Sequence, residues 1–174
     1  MIVGVTQLSA VSVLVLLSLW AAATDIRSLT IPNTVNLAIF VSGLAASFVL
    51  PVVGPVSALA GSVAAAAFVL LVQVGFRFYR GYDGLGLGDV KFVGAATTWI
   101  GLESIAFALA AASMTALVYV VARRALDPRF DAGRPIPFCP FLAAGFVLVA
   151  VAQILTGRSV IDGVDAMLLA LVTR

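Results

Sequence analysis

Uncharged apolar runs long enough to cross a bilayer recur along this chain, and they limit its possible folds more than any other feature. Charged residues make up 10% of the sequence, against roughly 25% in a typical globular domain. The mean hydropathy is +1.18. Such a chain is expected to be an all-α, polytopic membrane protein whose core partner is the lipid bilayer. Candidate spans lie near residues 4–24, 33–50, 56–76, 92–100, 103–122 and 138–156, giving a bundle of about six transmembrane helices. The fourth is too short alone and needs a helical approach from about residue 88, with the glycine-rich stretch before it shielded from lipid. A last stretch, residues 160–172, reads as an interfacial helix or one packed on the bundle. Residues 1–174 form one domain on this reading, without internal repeat or low-complexity tract.

Loop charges orient the bundle. With six alternating spans, Arg27, Arg77, Arg80, Lys91, Arg123, Arg124, Arg129 and Arg134 all fall on one side, against Arg158 and Arg174 on the other. The positive-inside rule makes the first side cytoplasmic and puts both termini outside. A net charge of +2 spread between apolar runs is a topology signal and forms no nucleic-acid patch. Residues 1–24 lack the basic start and short apolar core of a cleaved signal peptide, so a retained first helix is expected. Ser57, Gly61 and Ala65 recur at a spacing that lets helices approach closely.

The reactive inventory is short: no His, one Cys (Cys139) and one Lys (Lys91). Nucleophiles that rely on His, the usual thiolate or imidazole metal sites and an intrachain disulfide are therefore excluded, and neither metal nor cofactor is expected. What remains for acid/base work is chiefly carboxylates, and two of them stand at span edges, where charge is costly to keep. Asp25 ends the uncharged run that begins the chain. It is followed by Ile31-Pro32-Asn33, where Pro32 disfavours helix at Ile31 and suits the first turn of the next one, so the first span should stop near Asp25. Asp89 closes the run Gly84-Leu85-Gly86-Leu87-Gly88-Asp89 at the N-terminal end of the fourth span, where a helix dipole favours an anion. The glycines leave room for another extended chain, and an acid at this point argues against phosphate binding. A third segment, Arg134-Pro135-Ile136-Pro137-Phe138-Cys139-Pro140-Phe141-Leu142, opens the sixth span. Taken alone these are boundary charges, a flexible loop and a membrane-insertion device, with Cys139 as packing. Taken together, two carboxylates at one site suit aspartyl hydrolysis, because one holds its proton while the other ionises.

The three segments together resemble the type IV prepilin peptidases, membrane aspartyl proteases of the Gly-x-Gly-Asp type. The matching residues are Asp25 with Ile31-Pro32-Asn33, Gly86-Leu87-Gly88-Asp89-Val90-Lys91, and Ile136-Pro137-Phe138-Cys139-Pro140-Phe141-Leu142, in the family's order. The resemblance implies that Asp25 and Asp89 are the catalytic pair, and that a prepilin or pseudopilin precursor with a basic leader is cut at the cytoplasmic face of a bacterial inner membrane. It implies substrate contacts at Gly86, Gly88, Lys91 and Pro137. Asp83 is either a further contact for basic leader residues or a solvated loop charge. Cys139 departs from the glycine common at that position. The chain resembles the short, peptidase-only members serving Flp/Tad-type pili, so no methyltransferase activity is expected. The rivals are a small proton- or cation-coupled transporter using the same aspartates, and a structural subunit whose acids pair with arginines.

Overall fold

The computed structural model describes residues 4–127, 136–159 and 161–163. Its described part is helical, without strands: α1 (Val5–Ser28), α2 (Asn33–Val49), α3 (Pro55–Arg80), α4 (Leu87–Thr97), α5 (Ile105–Leu126) and α6 (Cys139–Thr156), with a single 3-10 turn, Leu102–Ser104, before α5. Each helix stands where an apolar run predicts one. Four segments are long and apolar enough to cross a membrane: α1, α3, α6, and α5 together with the 3-10 turn before it. The expected six spans thus become four long helices, a shorter α2 and a buried α4. With 11 residues, α4 is about 16 Å long, roughly half the thickness of a hydrocarbon core. The described part forms a multi-pass membrane bundle, and large apolar side chains such as Leu16, Phe48, Leu71 and Leu117 point outward from it. Most of the 160–172 stretch lies outside the described residues, as do Arg129, Arg134, Asp165 and Arg174.

Local chemistry sets the helix ends. α1 runs past Asp25 by a turn, because Arg27 in its last turn complements the dipole and Leu29 takes a left-handed C-terminal conformation (φ 52°) before Pro32 starts α2. α3 likewise outlasts its apolar stretch: Arg77 and Arg80 lie in its last turn, and Gly81 (φ 79°) closes it. α4 begins at a glycine-rich bend and turns back after Thr97.

α4 is the middle of the bundle. It packs on α2, α3 and α6, and α6 packs in turn on α1 and α5. Two fully buried rings, Phe92 of α4 and Phe146 of α6, meet edge to face with centroids 6.3 Å apart. The far end of α4 is tied down by hydrogen bonds: the Trp99 indole donates to the Ile39 carbonyl at 3.0 Å, and the Gln153 amide donates to Ser104 Oγ at 3.0 Å. Close approach depends on missing side chains. A Cβ at Gly145 would fall 2.5 Å from the Ala108 carbonyl oxygen of α5, and one at Gly43 would collide with Thr98 and Trp99. Gly61, one of the small residues expected to permit such approach, fits the turn after α4: its Cβ would lie 2.8 Å from the Leu102 nitrogen. These contacts fix where α4 starts, and therefore where Asp89 stands.

Candidate active site

Asp25 and Asp89 are both buried, 5% and 8% exposed, in a chain where burying a carboxylate without partners is costly. Each is met by a helix N-terminus. Asp89 is in the first turn of α4, and its Oδ2 accepts the backbone N–H of Gly86, the N-cap residue, at 3.2 Å. Asp25, one turn from the end of α1, receives help from the far side of the sequence: its Oδ2 accepts the backbone N–H of Cys139, first residue of α6, at 3.0 Å. The Phe138 backbone N–H is directed at the same carboxylate. Unpaired N–H groups at a helix start carry partial positive charge, so two helix dipoles converge on the two acids. Pro140 costs the second of those helices nothing, since an N–H in its first turn has no intrahelical acceptor to lose. The other Asp89 oxygen, Oδ1, is buried without a partner among the described residues.

The two carboxylates line one cavity of about 230 Å³, together with Leu29, Thr30 and Ile31 of the α1–α2 turn, Asn33 at the start of α2, and Gly86, Leu87, Gly88 and Lys91. Hydrogen bonding joins Lys91 Nζ to Asn33 Oδ1 at 2.9 Å, tying α4 to α2 across the cavity rim. Gly86 is extended (φ −73°, ψ 146°), a conformation open to any residue. A Cβ at Gly88 would meet only Ile31, at an ordinary 3.5 Å, and one at Gly86 would meet Asp89 Oδ2 at 3.3 Å. The protein's own packing therefore leaves room for a methyl group at Gly88, whereas one at Gly86 would press on the Asp89 carboxylate.

Of the other residues singled out in the sequence, Asp83 lies beside this cavity but not in it. It forms an exposed ion pair with Arg77 at 3.4 Å and lines a neighbouring cavity with Leu85, Gly86 and Leu87. Pro137 is partly buried just ahead of the Phe138–Cys139 donors. The Cys139 side chain is fully buried, in keeping with packing. Among the described residues no cluster of three or more metal-binding side chains occurs. Sequence reasoning missed Gln73 of α3, buried beside Leu85 and Gly86 on the inward face of that helix. A lone glutamine within an apolar run was the available signal.

The sequence profile of the type IV leader peptidase family matches residues 12–121, a stretch that contains both buried aspartates. The chain belongs to that family. A prepilin leader peptidase/N-methyltransferase of Burkholderia pseudomallei is 32% identical over 125 residues, which is 71% of this chain and 40% of that protein. One from Pectobacterium carotovorum is 29% identical over 136 residues, 77% of this chain and 48% of its own length. Leader peptidase HopD of Escherichia coli is 33% identical over 147 residues, 83% of this chain and 90% of HopD. The chain thus matches less than half the length of the first two family members and most of the third. No solved structure matches it.

Proposed function

We propose that this protein is an aspartyl endopeptidase of a bacterial inner membrane, which removes the leader peptide from prepilin or pseudopilin precursors. One observation carries the reading: Asp25 and Asp89, 64 positions apart in the chain, line a single cavity at one end of the bundle. In the reaction, one carboxylate takes a proton from a water molecule as its oxygen attacks the scissile carbonyl carbon. The other, protonated, donates to the carbonyl oxygen. Collapse of the tetrahedral intermediate breaks the C–N bond, and the amine leaves with a proton returned by a carboxyl group. The space beside Gly86 and Gly88 admits an extended substrate backbone to the acids. Lys91, which lines the cavity, Asp83, which lines the one beside it, and Pro137, just ahead of the Phe138–Cys139 donors, are assigned to substrate contact, Asp83 toward basic leader residues.

The same end of the bundle carries Arg27, Arg77, Arg80, Lys91, Arg123 and Arg124 near or between its helix ends. The positive-inside rule makes it the cytoplasmic end, with the N-terminus outside. A Flp/Tad-type pilin is the substrate class we favour. Incubating the purified protein in nanodiscs with a prepilin precursor, then weighing both products, tests the assignment. A single cut giving one leader and one new N-terminus is expected. An intact precursor, together with Asp89-dependent cation flux in proteoliposomes, would replace proteolysis with transport.

A further inference from the structure

A larger cavity, about 410 Å³, opens sideways between α3 and α5 over the flanks of α4 and α6. Its lining is almost wholly apolar, including Phe68, Val72, Val93, Leu109 and Leu142. Its polar side chains are Ser113 and Gln73, of which Gln73 is 7% exposed with an Oε1 that accepts no hydrogen bond among the described residues. A buried amide oxygen without a donor is costly, and burial without a partner at such a site points to a ligand that supplies one. Gln73 and Leu85 also line the cavity beside Asp83, which shares Gly86 and Leu87 with the cavity of the two aspartates. Neighbouring cavities thus share lining residues from the carboxylates, past Gln73, to the bundle's apolar side.

We infer that this lateral groove is the subsite for the peptide segment on the far side of the scissile bond from the basic leader, that its lining selects apolar side chains there, and that Gln73 Oε1 accepts a backbone N–H of that segment. The inference rests on the proteolytic reading above and adds where its substrate lies. Basic residues belong at the charged end, near Asp83, so the chain continuing past the carboxylates runs toward Gln73. The volume falls within the roughly 300 to 1,000 Å³ of pockets that enclose a drug-sized ligand. It therefore takes a few side chains with their backbone, and not a whole helix. A lipid acyl chain would fill the apolar part but offers no donor to Gln73, which favours a peptide. Gln73 is a positioning residue on this account.

The test uses a precursor with a photoreactive residue two or five positions beyond the scissile bond, held on the full-length Asp89→Asn protein, while wild-type cleavage is followed in parallel. Adducts on groove residues such as Phe68, Val72 or Leu142 are expected. Gln73→Leu should raise KM roughly 3- to 10-fold, the effect of one neutral hydrogen bond, with kcat within about twofold. Its melting temperature should hold or rise, because the substitution removes an unpartnered buried amide. A purely structural glutamine would instead lower the melting temperature and leave KM alone, which overturns the inference. So would adducts confined to other surfaces, or a phospholipid retained in the groove under saturating precursor. Cleavage without groove adducts sinks the subsite alone, adducts without cleavage sink proteolysis alone, and neither signal sinks both.

Discussion

Asp25 is held by a backbone N–H 114 residues further along the chain, and that bond shows what the sequence could and could not reveal about single residues. Both aspartates stood out as charges at the edges of apolar runs, where they are expensive to keep. The donors at Phe138 and Cys139 did not, because a backbone N–H has no side-chain signature, and the three prolines around them read only as a rigid start to a span. Since the Asp25 partner is main chain, the thiol is dispensable. Cys139→Ala should keep kcat/KM within about threefold and cost about 1 kcal/mol of stability for the lost buried sulfur, as precursor cleavage and thermal unfolding in detergent would show. Gly88→Ala carries the opposite expectation. The fold has room for a methyl group there, 3.5 Å from Ile31, so thermal unfolding should change little while cleavage drops at least about 10-fold, the cost of a misplaced substrate. Unchanged cleavage would mean that no substrate passes there.

At the scale of elements, apolar runs located α1 to α6 among the described residues, because lipid leaves a backbone few other ways to satisfy its polar groups. Their ends were less legible. α1 and α3 each continue a turn into charged sequence, since arginines in a last turn favour the dipole and hydropathy does not register this. The shortness of α4 was visible, but its place at the bundle centre was not. That place depends on glycines meeting other helices' backbones, a property of pairs and not of runs. Gly145→Ala tests it. The added methyl would press on the Ala108 carbonyl and the Ala112 nitrogen, neither of which can rotate away, so a loss of roughly 1 to 3 kcal/mol is expected. Denaturation in mixed micelles measures it.

For the molecule as a whole, the arginine distribution predicts an orientation, and the α1–α2 turn and the start of α4 gather around one cavity. In a Cys139→Ala background, Tyr82→Cys should react with a membrane-impermeant maleimide only in inverted vesicles, and Gly54→Cys only in intact spheroplasts. The reverse pattern would place the carboxylates outside. Which helices neighbour which was beyond the sequence, and the central claim depends on it: the bundle brings Asp25 and Asp89 together to act as one unit. The decisive measurement is kcat/KM for precursor cleavage by Asp25→Asn, Asp89→Asn and the double variant, each checked for membrane insertion. Groups acting as a unit are non-additive, so each single change should remove at least about 10²- to 10⁴-fold and the double should lose little more than the worse single. A single variant retaining near wild-type turnover, or losses that simply multiply in the double, would contradict the account.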